Sequence, residues 1–245
     1  LGNVGSDKTV DPLINLLGKD KDSSVRGRAA SALGNIGSDK AVDSLINSLL
    51  KDKDSSVRER AAEALGKIGS DKAIDPLINS LGKDKVSYVR GSAAEALGNI
   101  GSEKAIDPLI NFLGKDKVSY VRWRAALALG KIGSDKAVDS LINSLLKDKD
   151  SSVRWSAAEA LGNFGSDMAV DSLINSLLKD KDSNVRWSAA EALGNIGSKK
   201  SIEALKKALK DEEEAFGLKV KESAFHALEK ICMKNKIRID LNSER

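Results

Sequence analysis

Cysteine, histidine and aromatic residues are scarce in this chain of 245 residues, which contains one cysteine, one histidine and 4% aromatic residues. A single cysteine excludes an intramolecular disulfide framework, and one cysteine with one histidine leaves too few ligands for a typical zinc site. No run approaches the roughly 18 apolar residues that cross a membrane. The opening residues, LGNVGSDK, lack the basic and apolar stretches of a signal peptide. We therefore expect a cytoplasmic protein without a membrane segment.

Proline is also rare, with three residues, whereas alanine, leucine, lysine and acidic residues are abundant. This composition is typical of helices. The chain is 41% hydrophobic and 31% charged, which excludes a disordered chain and a membrane protein. Since no stretch has the alternating pattern of a strand, the sequence predicts an all-α fold.

A period of 32 residues organises the chain. A Val-Arg pair recurs at this spacing, with its arginine at Arg26, Arg58, Arg90, Arg122, Arg154 and Arg186. The period defines six repeats, 7–38, 39–70, 71–102, 103–134, 135–166 and 167–198. A fixed period of this length is typical of a solenoid, in which each repeat packs on its neighbours. We therefore interpret residues 1–245 as a single α-solenoid.

Each repeat is predicted to form two antiparallel helices. In repeat 39–70, the segment DKAVDSLINSLLK has apolar residues at helical spacing, and a KDKD turn separates it from the second helix. Asp54 or Ser55 can cap the start of that second helix, and Gly69 can end it in a left-handed conformation. We interpret the remaining glycines as helix punctuation.

The repeated pattern resembles a known family. In each repeat, a first helix with A-[VI]-D-[PS]-L-I is followed by the pattern D-x-x-V-R-x-x-A-A-x-A-L-G-x-I-G. This combination is similar to the HEAT-like repeats, in particular to the short repeats of phycobilin lyase subunits. The resemblance covers residues 1–198 closely and 199–231 loosely. It implies a right-handed superhelix of helix pairs whose second helices line a concave groove. It says little about function, because the family includes scaffolds, lyases and DNA glycosylases.

Positions that differ between repeats lie on the face of the second helix opposite its core face. The aromatic residues of this variable face are Tyr88, Tyr120, Trp123, Trp155 and Trp187. Because equivalent helices stack about 8–10 Å apart, we expect the three tryptophans to form a ladder that the tyrosines extend. Clustered exposed aromatic residues mark interaction surfaces, although the same rings could instead lie flat over neighbouring helices and close gaps in an alanine-rich core.

The predicted binding stripe therefore combines apolar and charged residues. The aromatic residues and Leu127 are the candidate apolar anchors, and Arg124 with Lys131 forms a polar rim. Glu159 and Glu191 lie one turn beyond two of the tryptophans and favour a partner with basic residues. The arginine of each Val-Arg pair has a structural interpretation: in similar repeats it forms a hydrogen-bonded ladder with aspartates of the turns, here Asp20, Asp52, Asp84, Asp116, Asp148 and Asp180.

We predict a non-catalytic scaffold that binds a protein or peptide. No nucleophile–base motif, phosphate-binding glycine loop or metal-ligand set is present, so no catalytic residue, metal or cofactor is assigned. The loop-like spacing from Asp52 to Glu63 has Val57 where a calcium loop requires glycine. The alternative functions are a lyase or chaperone that acts on a bilin-carrying protein, suggested by the resemblance, and a DNA-binding protein. The excess of acidic residues in repeats 135–166 and 167–198 disfavours nucleic acid.

The two ends of the array differ. Residues 199–245 form a divergent repeat and tail with a lengthened turn, interpreted as a polar capping repeat. Residues 1–6 match the end of a second helix whose beginning is absent. We therefore expect further repeats upstream or self-association at this end.

Overall fold

The computed structural model describes residues 7–238, with side chains from residue 9 onward. Its helices alternate between two sets that pair into hairpins. The first helices of the hairpins are α1 (Asp7–Lys19), α3 (Val42–Lys51), α5 (Ile74–Lys83), α7 (Ile106–Lys115), α9 (Val138–Lys147), α11 (Val170–Lys179) and α13 (Ile202–Ala208). The second helices are α2 (Ser23–Ile36), α4 (Ser55–Ile68), α6 (Ser87–Ile100), α8 (Ser119–Ile132), α10 (Ser151–Phe164), α12 (Ser183–Ile196) and α14 (Val220–Asn235). This architecture confirms the predicted all-α solenoid.

Local signals in the sequence set the helix ends. The Asp54 side chain accepts a hydrogen bond from the Ser56 backbone N–H at 2.9 Å, so Asp54, rather than Ser55, caps α4. At the other end, Gly69 has φ 76° and donates its backbone N–H to the Leu65 carbonyl. A one-turn 3-10 helix precedes each first helix after α1, over Asp39–Ala41, Asp71–Ala73, Glu103–Ala105, Asp135–Ala137, Asp167–Ala169 and Lys199–Ser201.

One small hairpin departs from the all-helical prediction. Strands β1 (Glu214–Ala215) and β2 (Leu218–Lys219) pair antiparallel in the lengthened turn of the last repeat. Phe216 and Gly217 connect the strands with φ angles of 51° and 80°, which is the conformation of a tight two-residue hairpin turn. The sequence pattern missed these strands because each has only two residues.

The chain divides into two compact units. The N-terminal unit extends to Ala128 and the C-terminal unit begins at Leu129, within α8. In the N-terminal unit α2, α4 and α6 pack side by side, and in the C-terminal unit α10, α12 and α14 do the same. Leu1–Ser6 and the last seven residues, which carry the predictions about the N-terminal end and the tail, lie outside the described residues.

Glycines within the second helices allow their close approach. A Cβ added at Gly34 would lie 2.6 Å from the Cα of Ala64, and one at Gly162 would lie 2.6 Å from the Cα of Ala192. Since no side chain fits at such distances, these glycines are packing residues. The interpretation of every glycine as helix punctuation is therefore wrong for the Leu-Gly pairs, whereas it holds for the positive-φ glycines such as Gly69.

Arginine–aspartate pairs join successive turns within each unit, as predicted. Arg58 Nε donates to Asp84 Oδ2 at 2.7 Å, and its Nη1 donates to the Asp52 carbonyl of its own turn at 2.9 Å. Burial raises the pKa of Asp84, but the hydrogen bonds from Arg58 and the Val86 backbone N–H, with the charges of Arg58 and Arg90, together outweigh burial and hold the pKa below its usual value. In the last repeat the partner of Arg186 is Asp211, at 2.6 Å. Removal of one partner from such a buried pair costs about 3–5 kcal/mol.

Candidate protein-binding site

In the N-terminal unit, three predicted aromatic residues form one cluster. The ring centroids of Tyr88 and Tyr120 are 5.1 Å apart, and those of Tyr120 and Trp123 are 5.5 Å apart in an edge-to-face arrangement. The side chain of Tyr88 is 59% exposed, whereas Tyr120 and Trp123 are half-buried. The tryptophan is thus less accessible than the helical pattern predicted, because its neighbours cover part of the ring.

Arg124 covers the aromatic cluster of the N-terminal unit. The Cζ atom of Arg124 lies 4.8 Å from the centroid of the Trp123 ring and 5.2 Å from that of Tyr120, which is cation–π geometry. Its Nη1 donates to Glu95 Oε2 at 2.7 Å, and its Nε donates to the Tyr120 hydroxyl at 3.2 Å. Arg124 was predicted as part of a polar rim, and here its guanidinium is engaged by side chains of the chain itself.

In the C-terminal unit, two tryptophans share a third ring. The ring centroid of Phe216 lies 5.8 Å from that of Trp155 and 5.4 Å from that of Trp187. Phe216 is 56% exposed, and both tryptophans are half-buried. These rings border an open cavity of about 340 Å³ that is lined by Trp155, Glu159, Asn163, Trp187, Ser188, Glu191, Ala192, Asn195 and Phe216. Four of these residues belong to the predicted stripe.

Phe216 is the residue of the candidate site that the sequence reasoning missed. The hairpin is fixed to the start of α12, because Ser183 Oγ donates to the Glu214 carbonyl at 2.6 Å and the Phe216 backbone N–H donates to Asn184 Oδ1 at 3.2 Å. These bonds hold a bulky residue in the left-handed backbone region, which costs about 1–3 kcal/mol. The lengthened turn was the only signal for it in the sequence.

The carboxylates of the cavity differ in their surroundings. Glu191 accepts from Lys230 Nζ at 3.0 Å and from Ser223 Oγ at 3.2 Å. Glu159 makes no hydrogen bond or ion pair with the side chains that the structure describes. Burial raises the pKa of Glu159 above its usual value, and the positive charge of Lys131 offsets part of the rise.

Two other predicted residues lie outside these clusters. Leu127 is half-buried on α8 in the N-terminal unit, and Lys131 is exposed on the last turn of α8. Trp123 belongs to the N-terminal unit and Trp155 to the C-terminal unit, so a continuous ladder of three tryptophans stays a prediction.

The indole of Trp187 is held at an energetic cost. Its Nε1 atom is buried and has no hydrogen-bond acceptor among the described residues. An unsatisfied buried donor of this kind costs about 1–3 kcal/mol.

Within residues 9–238, no group of three or more histidine, cysteine, aspartate and glutamate side chains is arranged to hold a metal ion. Over the same described part of the chain, no helix combines the length and apolar character needed to cross a membrane.

The fold and the variable surface of its second helices define a tandem-repeat solenoid. The sequence matches the HEAT repeats in three overlapping segments, 10–98, 87–162 and 138–229. The chain therefore belongs to the HEAT-repeat family. A search among curated proteins finds no match.

Several solved structures share the fold. The complex of CpcE and CpcF of phycocyanin lyase from Nostoc sp. PCC7120 is similar with 27% identity, a TM-score of 0.60, and coverage of 99% of this chain and 94% of that one. The Escherichia coli protein YibA has 26% identity, a TM-score of 0.62, and coverage of 93% and 82%. Importin beta, with 18% identity and a TM-score of 0.63, matches 91% of this chain over 35% of its own length, and this likeness concerns the fold alone.

Proposed function

We propose that the chain is a non-catalytic scaffold that binds a protein or peptide on the surface of its second helices. The observation that carries this proposal is the cavity of the C-terminal unit, walled by Trp155, Trp187 and Phe216. Aromatic rings provide a large contact area for little conformational entropy, and tryptophan is enriched among the residues that dominate binding energy.

A backbone cost favours binding over packing as the role of Phe216. Its backbone is in the left-handed region, which is strained for a bulky residue. Such strain is concentrated at functional sites, where stability is given up for a particular geometry. The carboxylates of Glu159 and Glu191 at the same cavity favour a partner with basic residues.

A similar protein supports a protein partner. The phycocyanin lyase structure, which shares 27% identity with this chain, is a complex of two chains, CpcE and CpcF. By analogy, this chain is proposed to act through association with another protein, and a cytoplasmic location remains our expectation.

Affinity capture with paired baits tests the proposal. The wild-type chain and a Trp155→Ala, Trp187→Ala variant are used as baits in a lysate of the organism that encodes the chain, and captured proteins are identified by mass spectrometry. We expect a protein that the wild type retains and the variant loses, and the purified protein must then bind the wild type directly. A Trp123→Ala bait is the matched control. Identical captures by all three baits would refute a binding role for the cavity.

A lyase or chaperone role on a bilin-carrying protein is the second candidate, and the similarity to phycocyanin lyase over nearly the whole chain favours it. The carboxylates of the cavity argue against a bilin as its occupant, because they repel the propionate groups of a bilin. Co-expression with bilin synthesis followed by an absorption spectrum of the purified chain tests this candidate. Visible absorbance that co-purifies at stoichiometric amounts would favour it, and a colourless protein would count against it.

A further inference from the structure

Arginines of the second helices reach the residue that stands 29 positions earlier in the chain. Arg124 Nη1 donates to Glu95 Oε2 at 2.7 Å, and Arg60 Nη1 donates to Ser31 Oγ at 3.2 Å. Both pairs join the second helices of adjacent repeats in the N-terminal unit. The separation of 29 residues therefore identifies positions that face each other across two neighbouring second helices. The same relation connects Ser188 to Glu159 in the C-terminal unit.

The cavity of the C-terminal unit lies where an arginine is missing. Ser188 occupies the repeat position of Arg124, Trp187 that of Trp123, and Glu159 that of Glu95. The tryptophan and the carboxylate are therefore both present, while the long cationic side chain between them is replaced by a serine that is 4% exposed. Ser188, Trp187 and Glu159 all line the cavity of about 340 Å³.

The surroundings of the cavity are those that a cation requires. Trp155, Trp187 and Phe216 present aromatic rings, whose faces attract cations. Glu191 is already paired with Lys230, whereas Glu159 forms no ion pair with the described residues. The carboxylate of the cavity that has no ion-pair partner among the described residues is thus Glu159, on which Lys131 acts only through its charge.

We propose that this cavity binds the guanidinium of an arginine side chain of a partner protein, stacked on Trp187 and paired with Glu159. The inference rests on the proposed function and names the chemistry that the site recognises. The partner arginine would contact a tryptophan and a glutamate, as Arg124 does in the N-terminal unit. A planar guanidinium suits this place better than an ammonium, because it stacks on an aromatic ring and donates two hydrogen bonds to one carboxylate.

Binding of three fluorescein-labelled hexapeptides tests the chemistry. The probes are C-amidated hexamers of arginine, lysine and citrulline that carry the label on the N-terminal amine, and affinity is measured by fluorescence anisotropy at low salt. We expect the arginine peptide to bind about fivefold or more tightly than the lysine peptide. The citrulline peptide, which keeps the shape and lacks the charge, should not bind. Equal binding of the arginine and citrulline peptides would overturn the proposal.

The variant Ser188→Arg tests the location of the proposed site, because its arginine would occupy the cavity from within the chain. It should weaken binding of the arginine peptide by about tenfold or more, and Glu159→Gln should weaken it by about fivefold or more. Both variants are compared with the wild type in thermal unfolding, so that a loss of binding is separated from a loss of fold. Glu159 is exposed to solvent, so Glu159→Gln should leave the fold intact. This variant therefore tests the proposal even if Ser188→Arg does not fold.

Ser92→Arg is the matched control. Ser92 stands 29 residues after Glu63, at the corresponding position of repeat 71–102, but the tryptophan position there is Gly91. This variant adds the same charge away from the cavity and should leave the affinity unchanged. If Ser92→Arg and Ser188→Arg weaken binding equally, the effect is one of net charge and the proposal is wrong.

The outcome also separates this inference from the proposed function. A protein captured by the wild-type bait, lost with Trp155→Ala, Trp187→Ala and still bound by Ser188→Arg would leave the scaffold function intact and overturn the arginine site. If no protein is captured and the arginine peptide nevertheless binds tightly, the arginine site would stand and the scaffold function would lack support.

Discussion

The N-terminal and C-terminal units use the same repeat positions in two ways. In the N-terminal unit, Arg124 lies over Trp123 and pairs with Glu95, so the aromatic surface is closed by the chain itself. In the C-terminal unit, serine replaces that arginine and a cavity remains beside Trp187. A single residue position thus distinguishes a tryptophan that an arginine of the chain covers from one that borders a cavity.

The two interpretations that the sequence left open correspond to different surroundings in the two units. In the N-terminal cluster, Tyr120, Trp123 and Arg124 cover one another. In the C-terminal cluster, Phe216 contacts both half-buried tryptophans, and the rings still border a cavity. Tryptophan therefore has different neighbours in repeats of nearly identical sequence.

The largest expected effect is on stability. Trp123→Ala should lower the free energy of unfolding by about 3 kcal/mol, because it removes a packed ring and the cation–π partner of Arg124. Trp187→Ala should cost about 1–2 kcal/mol, because its ring borders a cavity and its removal loses fewer packing contacts. Urea unfolding of both variants measures the difference. Equal losses would show that the two rings are packed alike.

Arg124→Ser should open the closed site. The change removes a cation–π contact and an ion pair with Glu95, and we expect a loss of about 1–2 kcal/mol in the free energy of unfolding. It should also create a second binding site for the arginine hexapeptide, visible by calorimetry as a stoichiometry that rises from one to two. An unchanged stoichiometry would contradict the equivalence of the two sites.

The pH dependence of peptide binding should report the protonation state of the Glu159 carboxylate. Burial raises the pKa of Glu159, so protonation begins at a higher pH than for an ordinary glutamate, whose pKa is about 4.3. Arginine keeps its charge throughout, and affinity should therefore fall as the pH is lowered towards that raised pKa. Anisotropy titrations from about pH 8 to about pH 4, with a pH-insensitive dye in place of fluorescein, measure this, because the range includes the ordinary glutamate pKa and the values just above it. The Glu159→Gln variant should bind weakly at every pH, without this transition.

The smallest expected effect compares two glutamates in the free protein. A carboxylate whose folded-state pKa is raised destabilises the fold at neutral pH, so Glu159→Gln should raise the melting temperature, by about 1 °C or less because solvent screens this exposed side chain. Glu95 is paired with Arg124, and Glu95→Gln should lower the melting temperature by a similar amount. Differential scanning fluorimetry at about pH 7 checks the signs, and two shifts of the same sign would contradict the comparison.

The sequence predicted those features that depend on periodicity and short-range chemistry. Helix pairs, the caps at Asp54 and Gly69, and the Arg58–Asp84 pair all follow from residue types at fixed spacing. The position of Phe216 did not follow, because it depends on the register of a two-residue turn within an insertion. Nor did the role of Gly34, whose close approach to Ala64 depends on how two helices pack.

The 29-residue relation between facing positions has an evolutionary consequence. Serine and arginine are one nucleotide apart in part of the genetic code, so a point mutation can exchange a closed site for an open one. Because the rest of each repeat is retained, duplication of a repeat supplies a copy in which that exchange is free to occur. An array of this kind can acquire or lose binding specificity repeat by repeat, without rebuilding the helices that display it.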